Sequence, residues 1–141
     1  MKIPTSTLSL ALLACAVLGF GACGGGNEPV KPGAPKFSLD AQPGDSDAMK
    51  VAKERFKMAC SACHGLTGVG DGAAAVALPV KPRNYTAKAW QASTTDEQIA
   101  KVILEGGAAV GKSPLMAANP DLADKKDVVD SLVKIIRAFG Q

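Results

Sequence analysis

The stretch Cys60-Ser61-Ala62-Cys63-His64 decides how this chain is read. Two thiols are separated by two residues and an imidazole follows at once, which is the attachment pattern of c-type haem. Each thiol can add across one vinyl group of a porphyrin, and the two thioethers then fix the edge of the macrocycle to the chain. The next residue is carried beneath the iron, where the His64 imidazole can serve as the proximal ligand. The expectation is one covalent haem c, with Cys60 and Cys63 bonded to the ring and His64 on the iron.

Three other readings of these residues compete. A redox dithiol of the thioredoxin kind sits near a βαβ pattern, and none is visible in the sequence. Zinc needs about four ligands, whereas the chain has one His and only two further cysteines, Cys15 and Cys23, both near the N-terminus. A plain disulfide between Cys60 and Cys63 leaves His64 without a purpose.

Because His64 is the only histidine, a second axial imidazole from this chain is ruled out, and thioether sulfur is the usual alternative. Met1 opens the N-terminal segment, Met49 falls on the helix expected to lead into the motif, and Met58 is held on the attachment side. Met116, in Ser113-Pro114-Leu115-Met116 after a glycine-rich loop, is the candidate sixth ligand. A methionine that merely fills a gap in the core is the competing reading.

The chain has 141 residues, 47% of them hydrophobic and 21% charged, which suits one small domain with appendages. Aromatic residues make up only 4%. A buried porphyrin would supply the missing apolar bulk, so the haem-free protein is expected to fold poorly. A net charge of +3 without clustered Lys and Arg does not fit a nucleic-acid binder.

Residues 1–22 read as a signal peptide. Lys2 precedes an apolar run of about 13 residues from Leu8 to Phe20, short for a permanent membrane helix, and small residues follow. Phe20-Gly21-Ala22-Cys23 resembles a bacterial lipoprotein cleavage box, which would make Cys23 the lipid anchor. Simple cleavage near Ala22, releasing a soluble exported protein, is the alternative. Residues 23–45 then form a lipid-anchored flexible tether, rich in Gly and Pro, with a reach on the order of 25 Å. The expected location is the periplasmic side of a bacterial membrane.

The domain is expected over residues 46–141. Asp45 or Ser46 caps a helix to about Met58, with Ala48, Val51, Ala52, Phe56 and Ala59 near one face and Lys50, Lys53, Glu54 and Lys57 elsewhere. The glycines from Gly65 to Gly72 suit backbone wrapped closely around a flat cofactor. A phosphate loop is excluded by the lack of a preceding strand or a following Lys-Ser/Thr. Arg83, Tyr85 and Trp90 are candidate donors to the haem propionates, an exposed surface role for Arg83 being the alternative. Thr94 and Glu97 form a capping box for a helix to about Glu105, which Gly106-Gly107 ends. A last helix begins between Asp121 and Asp124, with Val128, Leu132, Ile135 and Phe139 at helical spacing, and should pack on the first.

Together, Cys60-Ser61-Ala62-Cys63-His64-Gly65, Gly70-Asp71-Gly72, Lys81-Pro82-Arg83-Asn84-Tyr85 and Ser113-Pro114-Leu115-Met116 resemble class I c-type cytochromes over about residues 46–141. The resemblance implies an all-α fold of three to four helices around one haem, with the N- and C-terminal helices crossing. It implies that Cys60 and Cys63 carry haem and that His64 and Met116 are axial ligands. It also implies a proline carbonyl that orients the imidazole, with Pro79 as candidate. Many relatives have Pro after this Met, where Ala117 stands here.

The function expected is single-electron transfer, not catalysis, with redox-partner proteins and no nucleic acid or small-molecule substrate. Lys50, Lys53, Lys57, Lys81 and Lys88 are candidates for steering an acidic partner. Two alternatives remain: a haem subunit of a larger respiratory oxidoreductase, and a five-coordinate sensor or peroxidase if Met116 does not ligate.

Overall fold

The computed structural model describes residues 37–141. The expected signal peptide, Cys23 and the tether up to residue 36 lie outside the described residues. Helix α1 spans Asp47–Arg55. Ser46 caps it, its hydroxyl accepting from the Met49 amide at 3.1 Å, and Asp47 adds an anion in the first turn, where the helix dipole favours one.

The first helix was expected to run regularly to about Met58. Instead, α geometry gives way to a π turn over Phe56–Cys60 before α2, Ser61–His64. The Ser61 amide reaches back to the Phe56 carbonyl. The Lys57 carbonyl, its ordinary α-helical partner gone, accepts from the Ser61 hydroxyl at 2.6 Å. Such one-residue expansions shift the face presented by everything that follows, and they gather at functional sites.

Helices α3 (Lys88–Ser93), α4 (Asp96–Glu105) and α5 (Lys126–Ala138) follow, with short 3₁₀ turns between them. Since α1, the π turn and α2 form one continuous path, the described residues make four helical rods and no strand. None of these helices is long and apolar enough to cross a membrane. The cap of α4 lies one residue later than expected. Thr94 still closes α3 through its amide on the Trp90 carbonyl, so Thr95 caps α4 and boxes with Gln98. The last helix likewise starts later, because Pro120–Leu122 forms a separate 3₁₀ turn.

Helix α5 packs against α1. Val128, Val129, Leu132, Val133, Ile135, Ile136 and Phe139 are all buried, as their spacing predicts, and Ala52 and Phe56 of the first helical path are fully buried. Phe139 joins the parts. Its ring stands 5.2 Å from Phe56, 6.3 Å from Phe37 and 6.3 Å from Tyr85, centroid to centroid. A Cβ on Gly68 would come within 2.7 Å of the same ring.

Within the expected tether 23–45, residues 37–45 are not free but lie on the domain as an irregular strap. Phe37 and Leu39 pack against the core. Lys53, expected on a solvated face, is instead buried at 2% exposure beneath the strap. Its ammonium donates to the Asp40 carbonyl (3.0 Å) and to Asp45 Oδ2 (2.8 Å), and stands 5.0 Å from the Phe37 ring centre. Pro and Gly correctly exclude regular structure here. They do not prevent packing where one aromatic ring and one lysine supply the contacts.

Phe139→Ala should cost about 3–5 kcal/mol of stability, seen as a large fall in Tm, because it removes the ring shared by four segments. The strap carries a pH signature. The Lys53 hydrogen bond holds the Asp45 carboxyl below its usual value, so its contribution is complete above the ordinary carboxylate range and is lost as pH falls through the lowered value. Protease resistance of residues 37–45 should therefore hold from neutrality down to about pH 4 and fail only below it.

Candidate functional site

The two thiols are delivered by the π turn and α2. Cys60 and Cys63 are both half-buried and free. Burial, with a smaller contribution from Cys63, pushes the Cys60 thiol up to about 11, against the opposing pull of Arg55. A dithiol catalyst needs its nucleophilic thiol lowered towards neutrality, and Cys60 is shifted the other way. Among the described residues no three His, Cys, Asp or Glu side chains converge, so the donor set does not suit zinc either.

His64 closes α2 and is 8% exposed. Its Nδ1 lies 3.2 Å from the Arg83 carbonyl oxygen. A carbonyl can only accept, so Nδ1 carries the hydrogen and Nε2 keeps its lone pair. Burial lowers the pKa of the ring, partly offset by that hydrogen bond, so the imidazole is neutral at pH 7. The orienting carbonyl therefore belongs to Arg83, not to the expected Pro79.

The ring of Tyr85, 5% exposed, stacks on this imidazole with centroids 4.5 Å apart and planes 13° from parallel. Its hydroxyl oxygen is 3.1 Å from His64 Nε2. Had the hydroxyl met the lone pair in line, the two rings would lie end to end, with centroids far beyond the observed 4.5 Å. The oxygen therefore lies over the ring, and the lone pair, in the imidazole plane, points past it. Burial pushes the phenol well above its ordinary pKa, so it remains a neutral hydroxyl.

Of the three expected propionate donors, Tyr85 is thus turned towards His64. Trp90 is half-buried against Tyr85, 5.5 Å between centroids. The Arg83 guanidinium is exposed and stands 6.0 Å from the Trp90 ring centre.

The glycine-rich loop closes on the motif through backbone. The Gly70 amide donates to the His64 carbonyl at 2.9 Å and the Gly72 amide to the Cys63 carbonyl at 3.1 Å, so two end carbonyls of α2 are satisfied. Gly70 has φ +86°, and a Cβ there would come within 2.6 Å of the Pro82 carbonyl oxygen. A Cβ on Gly72 would overlap the carbonyls of Ser61 and Ala62. The loop's glycines thus serve backbone packed on backbone, which then joins the segment carrying Arg83 and Tyr85: the Tyr85 amide donates to the Gly68 carbonyl at 2.7 Å.

Met116 lies outside this cluster, half-buried in a loop fastened to the end of α4. The Gly107 amide donates to the Met116 carbonyl at 2.9 Å, and the Lys112 amide to the Gly107 carbonyl at 2.8 Å. Gly107 has ordinary helical angles. It is glycine for space, because a Cβ would overlap the Ser113 carbonyl oxygen.

Sequence reasoning missed Ser61, the Arg83 carbonyl and the steric role of Gly107. A serine between two cysteines and a backbone carbonyl carry no sequence signal. A doubled glycine before a proline loop does, but its simplest meaning, a helix stop, leaves this steric role out.

The expected ring of steering lysines also changes. Lys53 is buried, Lys50 pairs with Asp47 at 2.9 Å and Lys57 with Glu54 at 2.7 Å. Lys81 and Lys88 remain exposed, with their ammonium groups on the carbonyls of Ala75 and Gly140.

The donor set fits haem: two free thiols three residues apart and, directly after the second, an imidazole of fixed tautomer. The family model described as Cytochrome c matches residues 49–130. Among solved structures, the KustC0563 c-type cytochrome is 28% identical and aligns over 68% of this chain and 100% of its own, with a TM-score of 0.48. No curated protein matches.

Gly107→Ala should cost about 1–3 kcal/mol while leaving helix content by circular dichroism unchanged. Faster hydrogen exchange at the residue 107 and Lys112 amides would locate the damage in the loop that carries Met116.

Proposed function

Because the chain belongs to the cytochrome c family, which carries covalently bound haem c, we propose that it is a single-electron carrier with haem bonded through Cys60 and Cys63 and iron ligated by His64 and Met116. The observation that carries this reading is the state of His64. It is neutral, buried and held by Nδ1 on the Arg83 carbonyl, which leaves the lone pair on Nε2, at the end of the turn that bears both thiols.

When bound, haem would supply a one-electron iron couple, and ligation by a thioether together with an imidazole would raise its potential. The chain does the rest. The π turn and α2 set the two sulfurs one helical turn apart. The Arg83 carbonyl fixes the imidazole tautomer and increases its basicity as a ligand. Apolar packing around Phe56, Tyr85 and Phe139 keeps water from that side. Gly107 and Ser113 hold the Met116 loop as a separate piece. Electron carriage asks for no acid, no base and no open coordination position.

The same reading takes the chain to be exported and held at the periplasmic face of a bacterial membrane by lipid on Cys23, serving a respiratory chain. It rests there on the N-terminal sequence. Redox proteins are the partners, and Lys81 and Lys88 are the lysines from the expected ring best placed to meet an acidic one.

Protein matured with haem should gain one haem mass, show no free thiol at 60 or 63, and give a ferric absorption band near the red end of the visible range, typical of sulfur on iron. Met116→Ala should abolish that band and lower the reduction potential while covalent haem is retained. A colourless product with two free thiols would refute the electron-carrier reading. Persistence of the band in Met116→Ala would remove Met116 as ligand.

A further inference from the structure

We propose that Tyr85 is a positioning residue that sets the plane of the His64 imidazole, a role distinct from the propionate contact expected of it. The inference rests on the ligation of His64 proposed above and adds what determines the orientation of that ligand.

One hydrogen bond does not fix a flat ring. With Nδ1 held by the Arg83 carbonyl at 3.2 Å, the imidazole can still roll about the line joining Nδ1 to that oxygen. A rigid flat surface against one face removes this freedom. Tyr85 provides it, with planes 13° from parallel and centroids 4.5 Å apart, inside the range where offset aromatic stacking is favourable.

The tyrosine is itself held from several directions. Its amide donates to the Gly68 carbonyl at 2.7 Å, and its carbonyl accepts from Gln91 Nε2 at 2.6 Å. Gln91 is tied in turn to α5, donating to the Ile136 carbonyl at 2.9 Å and accepting from Arg137 at 2.9 Å. Trp90 and Phe139 back the tyrosine ring, at 5.5 Å and 6.3 Å. Arg83 and Tyr85 are neighbours but one along the same loop, so a single piece of chain grips the imidazole at its nitrogen and on its face.

This orientation has a chemical consequence. The direction of the imidazole plane relative to the porphyrin nitrogens governs how unpaired spin of ferric iron spreads over the ring, and partners that orient a ligating histidine tune the metal through it. Tyr85 would therefore leave a signature in the ferric spectrum that a purely structural residue would not.

The test uses the haem-loaded protein. His64 is the only histidine, so ¹⁵N-histidine labelling isolates one imidazole. In the diamagnetic ferrous wild type, nuclear Overhauser contacts between the Tyr85 and His64 rings are expected. Ferric Tyr85→Phe, which keeps the flat face, should preserve the wild-type order of the haem methyl shifts. Tyr85→Leu should reorder or compress them and speed exchange of the Nδ1 proton at least tenfold.

Haem-loaded wild type without the ring contact would overturn the inference, as would a folded Tyr85→Leu variant with wild-type methyl shifts. If Tyr85→Leu does not fold, the wild-type contact and Tyr85→Phe still decide, since loss of the methyl order in the phenyl variant would assign control to the hydroxyl instead. Wild type lacking covalent haem altogether would instead sink the reading on which the inference stands.

Discussion

The packing of one ring, Phe139, holds the site together. It touches Phe56 at the start of the π turn, Phe37 of the strap, Tyr85 beside the imidazole, and the backbone at Gly68. These four belong to segments that share no secondary-structure ladder, so their relative positions depend on what they pack against. Tight packing is sensitive to a single methylene, and here it transmits position from the last helix to the residues proposed to hold haem. The aromatic count is low, yet four of the aromatic residues meet around this point.

Two kinds of constraint meet at His64. Local geometry places it: the π turn changes the register of the helical path, and Ser61 takes the carbonyl that this change leaves without its usual partner. Long-range contacts then orient it, through the Arg83 carbonyl and the Tyr85 face. The glycine loop links the two, because it bonds to the end of α2 on one side and to the Tyr85 amide on the other. A side chain at Gly70 or Gly72 would force these layers apart.

The strap makes a similar point about the boundary between linker and domain. Lys53 is a cation sequestered at 2% exposure, which is tolerated only because a carbonyl, a carboxylate and an aromatic face surround it. A charge on a helix usually reads as a solvated face. Nothing in the spacing of Lys50, Lys53, Glu54 and Lys57 distinguishes the one that is covered, because its cover comes from a segment without periodicity.

By itself the sequence determined the chemistry and the class of fold. The Cys60-Ser61-Ala62-Cys63-His64 order is a statement about covalent bonds, and the apolar spacing from Val128 to Phe139 is a statement about one helical face. Both are local, and both are legible without coordinates. Met116 is legible only by elimination, and its loop shows a fixed backbone rather than a contact with His64. Only the tertiary structure decided which carbonyl meets Nδ1, where Tyr85 turns, which lysine is buried and that residues 37–45 pack on the domain. Each of these depends on which atoms from distant parts of the chain come to share a few ångströms of space, and residue type alone does not encode that.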